Sequence, residues 1–358
     1  MSRSEHLSCS ILLDDAHSAI DNPSSRLYQH PIQYIETHSA EELDLALLQI
    51  EAAIAQKKYV VSCLSYELGE HFVGIHPLPS STPWIRAWVF DRVTKLSKDQ
   101  ADQWLQNHLL ESKSNQIAKI DQALMPSMTQ ATFTNKIKTI QELIRNGDTY
   151  QVNFTYRING AITGEPISLY QNLRDKQPGP FGAYIEHSDG WVLSCSPEWF
   201  LSKQGQRLIT KPMKGTGKAG EMSSASLSAD PKNRAENLMI VDLLRNDFSK
   251  ISIAGSVKVP HLFQVDQHGD VLQMTSTIES TAKDDLSLKE LLSAIFPCGS
   301  ITGAPKKRTM EIIQELEDQP RNLYCGSIAW FDPVANAENH KGAVTDSPRL
   351  GNIGMSVV

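Results

Sequence analysis

The feature that most constrains the fold is a long stretch of alternating apolar and polar residues, from 181 to 209. Alternation with a period of two is typical of β-strands, because successive side chains point to opposite faces of a sheet. Two turn signals interrupt it, Ser-Asp-Gly at 188–190 and the pair Gln204 and Gly205. Short turns of this kind join neighbouring strands as hairpins. The stretch therefore predicts an antiparallel meander.

Helical patterns flank the meander. Ser39 and Glu42 form a capping-box pattern before a helix whose apolar face consists of Leu43, Leu47, Ile50 and Ile54. Further helices are expected over 132–146, 234–249, 286–295 and 305–318. Strands and helices do not alternate regularly, and the chain has no internal repeat. These patterns predict an α+β fold with large antiparallel sheets and not a doubly wound parallel one.

A polar, linker-like stretch at 97–130, with one short helix at 104–110, marks the predicted domain boundary. It separates an N-terminal region, residues 1–115, from a larger region, residues 125–358. The candidate site residues discussed below all lie in the second region.

Charge and cysteine content exclude several classes of protein. The net charge of −7 argues against general affinity for nucleic acid or for an anionic membrane. No run approaches the roughly 20 apolar residues of a membrane span, and the first residues lack the apolar core of a signal peptide. The five cysteines are far apart, odd in number and without a Cys-x-x-Cys pair. We therefore expect reduced thiols and a cytoplasmic protein.

Lys214 and Glu198 are the first candidates for chemistry. They are expected on adjacent strands of one hairpin that turns near Gly205. In a shared pocket, a lysine could act as nucleophile or base and a glutamate as general acid. Both roles require desolvation, which favours the neutral amine and the neutral carboxyl. Spacing alone is equally compatible with a surface ion pair between neighbouring strands, which is the commoner arrangement.

Glu236 is the second candidate, because a helical stripe joins it to Ile240, Leu243 and Asp247. A carboxylate beside a buried stripe usually has a partner, often a metal ion. The alternative is a glutamate that is merely favoured by the positive end of the helix dipole.

The third candidate is the glycine-rich run 296–306, Phe-Pro-Cys-Gly-Ser-Ile-Thr-Gly-Ala-Pro-Lys. Glycines let backbone N–H groups approach a ligand, and Pro305 suits the first turn of a helix. A helix N-terminus beside lysines is a good anion site. The alternative is a tight loop that caps a surface helix.

The chain resembles the chorismate-utilising enzymes over nearly all of residues 30–358. Four stretches carry this resemblance: 194–198, 210–216, 234–247 and 296–306. The resemblance implies the chorismate-binding-enzyme fold, with large antiparallel sheets in a layered sandwich flanked by helices. It also makes residues 125–358 the chorismate-binding catalytic domain.

The resemblance further implies roles for individual residues. Lys214 would attack C2 of the chorismate ring while Glu198 acts as general acid for the departing C4 hydroxyl, and ammonia would then add at C4 and expel the lysine. Glu236 would bind Mg²⁺, which holds the ring carboxylate. The implied substrate-binding residues are Gly215, Thr216, Ser300, Thr302 and Gly303.

Lys214 resembles the aminodeoxychorismate synthase members of the family, whereas anthranilate synthases have an alanine there. Isochorismate-forming relatives activate water with a lysine where this chain has Gln151, which cannot titrate. We therefore expect amination of chorismate to 4-amino-4-deoxychorismate, on the way to p-aminobenzoate and folate. The alternatives left open are an anthranilate or isochorismate synthase component, and a truncated, non-catalytic subunit that binds the glutaminase.

The expected partner is a separate glutaminase subunit that supplies ammonia, since no cysteine has the setting of an amidotransferase nucleophile. The N-terminal region resembles the part of the family that supports a tryptophan pocket. Two departures from the family are visible. Gln273 stands where many relatives have a histidine, and the sequence stops at Val358. The resemblance implies that C-terminal strands and a helix with a second Mg²⁺ ligand are missing, so the chain is either a truncated form of the enzyme or one that has lost function.

Overall fold

The computed structural model describes residues 7–112, 114, 116–121, 123–268, 270–333 and 350–358. The helices are α1 (Ala40–Ala55), α2 (Tyr66–Phe72), α3 (Lys98–Glu111), α4 (Gln130–Arg145), α5 (Pro166–Lys176), α6 (Ser224–Ala229), α7 (Pro231–Ile251), α8 (Leu288–Ile295) and α9 (Lys306–Leu316). The strands are β1 (Ser10–Asp14), β2 (Ser25–Gln29), β3 (Gln33–Thr37), β4 (Tyr59–Leu64), β5 (Ile85–Phe90), β6 (Thr94–Leu96), β7 (Lys119–Ile120), β8 (Met125–Pro126), β9 (Gln151–Val152), β10 (Ile158–Asn159), β11 (Ile162–Thr163), β12 (Phe181–His187), β13 (Gly190–Ser196), β14 (Trp199–Gln204), β15 (Arg207–Lys211), β16 (Met213–Lys218), β17 (Lys258–His268), β18 (Val271–Thr281), β19 (Gly303–Ala304), β20 (Ser327–Phe331) and β21 (Ile353–Val357).

Two antiparallel sheets dominate the structure. The larger has ten strands in the order β16-β18-β15-β14-β21-β20-β4-β5-β3, and β17 pairs with the other edge of β18. The smaller has five strands in the order β13-β12-β1-β2-β6. The predicted meander, β12 to β15, supplies strands to both sheets. The predicted α+β class with large antiparallel sheets is confirmed.

The two sheets and their helices form layers. On one face of the larger sheet, Leu47 of α1, Leu244 of α7 and Leu291 of α8 pack against Val60 and Phe200. Full burial of each such side chain stabilises the fold by roughly 1.5–3 kcal/mol. Helices therefore cover this face of the sheet, as the predicted layered arrangement with flanking helices requires.

The other face of the larger sheet packs on the smaller sheet, where Val61, Trp88 and Ile328 meet Ile11 and Ile185. Val60 and Val61 are neighbours on β4 yet enter different clusters, because strand side chains alternate between the two faces. On the outer face of the smaller sheet, α3 and α5 complete the stack: their clustered side chains include Leu105, Ile167 and Tyr170.

Local predictions are confirmed for element type and are less exact in detail. The helices expected at 132–146, 234–249, 286–295 and 305–318 correspond to α4, α7, α8 and α9. The capping box expected at Ser39 and Glu42 is wrong, since the Ser39 side chain accepts no hydrogen bond from the first turn of α1. Capping boxes form instead before α3 and α8.

The stretch expected to be a linker contains α3 and the short strands β7 and β8. Strands from before and after it share both large sheets: β1 pairs with β12, and β4 pairs with β20. The division into residues 1–115 and 125–358 stays a prediction.

Within the residues that the structure describes, no helix has the length and apolarity needed to cross a lipid bilayer.

Candidate active site

A hairpin and its continuation place Glu198 and Lys214. Strands β14 and β15 pair from Trp199 with Lys211 to Gln204 with Arg207, so the hairpin turns at Gly205 as predicted. Glu198 immediately precedes β14. The prediction that Lys214 lies on the second strand of this hairpin is wrong: β15 ends at Lys211, and Lys214 lies on β16. The two strands follow one another along the same edge of β18, interrupted at Pro212.

A β-bulge determines the position of Lys214. Met213 pairs with Thr275 and Thr216 pairs with Gln273, so one extra residue stands on β16 between these two pairs. Such bulges re-aim side chains and are common beside active sites. Gly215 permits this one, because its φ of +98° is in the region that favours glycine. Because the bulge interrupts the regular alternation, the direction of Lys214 does not follow from the strand pattern.

Helix α7 holds the bulge in place through one buried amide. Asn237 has no exposed surface, and its Nδ2 donates to the carbonyl oxygens of Lys214, at 3.4 Å, and Met274, at 3.5 Å. Its Oδ1 accepts a bond from Ser276 Oγ at 2.6 Å. Asn237 lies in the signature stretch 234–247, but the sequence pattern did not single it out.

The glycine-rich loop approaches the same helix. Gly299 begins a 3-10 turn (Gly299–Ile301), and a Cβ on it would lie 2.6 Å from Leu243 Cδ2. Gly303 has a φ of +146°, and a Cβ there would lie 1.9 Å from the carbonyl oxygen of Gln151. Both glycines therefore allow close packing: the first brings the loop onto α7, and the second brings β19 onto β9.

Three of the predicted residues, Glu198, Lys214 and Ser300, line one cavity of about 460 Å³. Its wall also includes Asn153, which directly follows β9, and Tyr324, from the turn before β20. The end of β21 closes another side. Glu198 and Ser300 are about a hundred positions apart in sequence and meet only because the loop folds over the hairpin.

The surroundings of Glu198 favour a protonated carboxyl. Burial raises the pKa of this side chain above its usual value, while the Ser300 hydroxyl, the Lys214 charge and the Cys298 thiol oppose the shift. Cys298 Sγ lies 3.9 Å from Glu198 Oε1, and the Ser300 hydroxyl lies 3.1 Å from the same sulfur. A raised pKa is what a general acid at neutral pH requires.

The other predicted substrate residues lie outside the set that lines this cavity. Thr302 is fully buried, and its Oγ1 donates to the carbonyl oxygens of Cys298 and Gly299. Gly215 and Gly303 shape the backbone, as described above, and Thr216 is exposed on β16. Their contact with substrate stays a prediction.

Glu236 lies in the second turn of α7, since the helix begins at Pro231, three residues before the start predicted at 234. Its side chain is 39% exposed, and its Oε1 lies 3.9 Å from Lys232 Nζ. No group of three or more His, Cys, Asp or Glu side chains suited to a metal ion occurs among the described residues. Glu236 therefore offers one carboxylate, which does not make a magnesium site from protein groups alone.

The prediction that the helical stripe next to Glu236 is buried is confirmed for Ile240 and Asp247. Ile240 is fully buried, Leu243 meets the glycine-rich loop, and Asp247 is 1% exposed. The Asp247 carboxylate binds Lys306 Nζ at 2.5 Å, so the lysine of the signature run joins α9 to α7 and is engaged in a structural ion pair.

Sequence reasoning missed a buried clamp formed by Arg321 and Glu317. Arg321 Nε donates to Glu317 Oε2 at 2.8 Å, and Nη1 donates to the carbonyl oxygen of Ile301 at 2.9 Å. Nη2 donates to the carbonyl oxygen of Asn153 at 2.5 Å, and Glu317 Oε1 accepts from Thr155 N at 2.8 Å. The clamp thus ties together two walls of the cavity. The i, i+4 spacing of the two residues was the available signal.

Arg321→Met is expected to destabilise the protein by about 3–5 kcal/mol, because it leaves the Glu317 carboxylate buried without its counter-charge. Urea unfolding would measure the loss. Arg308→Met is the matched control, since Arg308 pairs with Glu311 and Glu315 on the surface and such pairs contribute about 0–1 kcal/mol. Equal stabilities of the two variants would contradict the clamp.

Comparisons with known proteins agree with this geometry. The family model described as chorismate binding enzyme matches residues 8–340. Aminodeoxychorismate synthase component 1 of Salmonella typhimurium is 41% identical over 219 residues, 60% of this chain and 48% of the relative. The Bacillus subtilis protein of the same name is 32% identical over 304 residues, 76% of this chain and 65% of the relative. Anthranilate synthase component 1 1 of Haloarcula marismortui is 40% identical over 209 residues, 57% of this chain and 43% of the relative.

Solved structures show the same fold. Anthranilate synthase component I from Streptococcus pneumoniae superposes with a TM-score of 0.73 at 21% identity, over 98% of this chain and 83% of that one. The 2,3-dihydroxybenzoate-specific isochorismate synthase from Bacillus anthracis gives a TM-score of 0.68 at 14% identity, over 98% and 84%. This chain spans about half the length of several curated relatives that it matches. The family match, the fold and the cavity lead to one conclusion: the chain belongs to the chorismate binding enzyme family.

Proposed function

We propose that this protein aminates chorismate with ammonia, giving 4-amino-4-deoxychorismate and water. The observation that carries the proposal is that Lys214, aimed by the bulge, lines the same cavity as Glu198 and Ser300. Relatives named aminodeoxychorismate synthase component 1, 32–41% identical, support the choice of reaction.

In the proposed mechanism, the Lys214 amine bonds to C2 of the ring, the double bond shifts, and the C4–oxygen bond breaks. Glu198 donates its proton to the departing hydroxyl, which leaves as water. Ammonia then bonds to C4, the double bond shifts back, and Lys214 is released. The raised pKa of Glu198 suits the first step, since the carboxyl must be protonated when the C4 hydroxyl leaves.

Mg²⁺ belongs to the proposal as an ion shared between Glu236 and the substrate carboxylate. Magnesium commonly takes one or two protein carboxylates together with substrate groups and water. When bound, it would neutralise and orient the ring carboxylate. The steps above do not depend on it.

Two further parts of the proposal concern partners and regulation. A cytoplasmic glutaminase component would supply the ammonia, as the designation component 1 of the relatives suggests. Tryptophan would bind between the two sheets, where a cavity of about 200 Å³ is lined by Asp14, Arg26, Phe181 and Trp330. Its wall carries both charged and aromatic side chains, which an amino acid with an indole ring requires.

The test is mass-spectrometric identification of the product that the purified chain forms from chorismate, Mg²⁺ and ammonium. We expect aminodeoxychorismate. Anthranilate or isochorismate would assign the protein to another branch of the family. A folded chain that forms no product but binds the glutaminase would instead be a non-catalytic subunit.

A further inference from the structure

A short β-ribbon carries an unusual concentration of exposed apolar side chains. It consists of residues 117–121, 123–128 and 155–165, and we call it the apolar ribbon. Strand β8 pairs with β10, and β7 pairs with β11, both antiparallel. A backbone bond from Asp121 N to the Ala161 oxygen lies between the two pairs, and one from Ser127 N to the Arg157 oxygen extends the pairing beyond β8.

The ribbon is exposed on both faces. Six of its large apolar side chains are between 43% and 66% exposed: Ile117, Ile120, Leu124, Met125, Ile158 and Ile162. A two-stranded ribbon is at best marginally stable in water without a layer packed against it. A concentration of exposed apolar side chains of this kind on a folded protein marks an interaction surface.

The apolar ribbon borders a second cavity, of about 300 Å³. On the ribbon side the wall is formed by Met128, Tyr156 and Ile158. On the opposite side it is formed by residues 317–321, which include the Arg321 clamp, and by Tyr324.

This second cavity adjoins the candidate active site. The Tyr324 side chain, 58% exposed, lines both cavities. Thr155 lines the second cavity and Asn153 lines the active-site cavity, so the short stretch of chain after β9 separates them. Arg321 binds the carbonyl oxygen of Asn153 and holds this dividing wall in place.

We propose that the apolar ribbon is the docking surface for the ammonia-supplying component, and that ammonia reaches Lys214 and its substrate through the second cavity, past Tyr324. This inference rests on the proposed function. The ribbon fits that occupant because it is continuous with a cavity that adjoins the active site. A donor seated there would cover the apolar side chains and close the outer mouth of the cavity. Exclusion of bulk water keeps ammonia neutral and nucleophilic along a short path.

The experiment uses the purified glutaminase component and two readouts, its Kd for this chain and aminodeoxychorismate formation from either glutamine or ammonium. Ile120→Lys and Ile162→Lys place charges on the apolar ribbon at two paired positions outside the wall of the second cavity. We expect each to weaken binding and glutamine-dependent formation at least about tenfold, as for residues at an interface centre. Formation from added ammonium should stay within about twofold of the parent protein, because a solvent-exposed substitution leaves the site intact.

Two further variants sharpen the test. Leu48→Lys is the matched control: Leu48 lies on α1, is 54% exposed, and should tolerate the charge with both readouts unchanged. Asn159→Trp fills the second cavity from its exposed rim. It should lower glutamine-dependent formation, while ammonium-dependent formation is preserved because added ammonium can enter the open active-site cavity directly from solvent.

Several results would overturn the inference. Unchanged Kd values in both ribbon variants would exclude docking there, and equal losses with glutamine and ammonium would indicate a structural role only. If the ribbon variants dissociate a self-associated form of this chain and keep their affinity for the glutaminase, the ribbon is a contact between copies of this chain. If the parent protein forms no product from ammonium, the proposed function fails, while the Kd values still decide where the component docks.

Discussion

Lys214→Ala should reduce aminodeoxychorismate formation from added ammonium by a factor on the order of 10³, a typical cost of losing one catalytic group. The reason is that alanine cannot bond to C2, so the C4 hydroxyl must leave without covalent assistance. Steady-state rates at saturating chorismate and ammonium measure the effect. The substitution lies in the bulge and leaves the Asn237 bonds to the backbone oxygens intact, so the fold should be retained.

Two variants separate nucleophilicity from charge. Lys214→Arg keeps a positive charge beside Glu198, but a guanidinium stays protonated and cannot attack carbon. It should be as inactive as the alanine variant, and recovery of activity would contradict the covalent mechanism. Lys218→Ala is the matched control: Lys218 lies on the same strand, is 67% exposed and pairs with Glu221 on the surface at 2.7 Å, so its removal should change the rate less than about twofold.

A direct test of the covalent step is intact-mass analysis without ammonia. The parent protein incubated with chorismate should gain the mass of chorismate less one water. Lys214→Ala and Lys214→Arg should show no such adduct. An adduct that persists in both would assign the nucleophile to another residue.

Glu198→Gln should lower the same rate by about 10²–10⁴-fold, the usual contribution of a general acid. Glutamine keeps the size and polarity of the side chain but has no acidic proton to give to the C4 hydroxyl. Glu221→Gln is the control, because Glu221 is 70% exposed on the surface near the same strand and should have no effect.

The pH dependence provides a second readout for Glu198. Burial raises the pKa of this carboxyl, so its acid form persists to higher pH than that of an exposed glutamate. Activity that needs the acid form is therefore present below the raised pKa and declines as pH rises through it. The residual activity of Glu198→Gln should lack that decline. If the variant shows the same decline at alkaline pH, the decline reports the titration of another group and not of Glu198.

Much of this fold was predictable from sequence because its signals are local. The helical period located α4, α7, α8 and α9, and Gly205 located the hairpin turn between β14 and β15. Glu198, Lys214 and Ser300 could be nominated because each lies in a distinctive stretch. The α+β class followed from the alternation of residues 181–209, since a period of two with short turns produces antiparallel sheets.

Other features were out of reach because no local pattern encodes them. The Ser39 capping box does not form although its residues are suitable, because residue types at the right spacing do not by themselves fix the side-chain rotamers. The clamp of Arg321 joins backbone atoms of Asn153 and Ile301, which are 168 and 20 positions away in sequence. The part of the apolar ribbon before α4 falls in the stretch that was predicted to be a linker, since short polar and apolar stretches give no period until two of them pair.

The sequence by itself determined which chemical groups are available, a lysine, a glutamate and a glycine-rich loop, and which segments are strands or helices. Only the tertiary structure decided that Lys214 lies beyond the hairpin, in a bulge whose register is set by β18. It also decided that Glu198 meets Ser300 and that Thr302 is buried away from the cavity. The physical reason is that side-chain identity and local period are properties of the chain, whereas register, burial and pKa depend on which distant segments pack together.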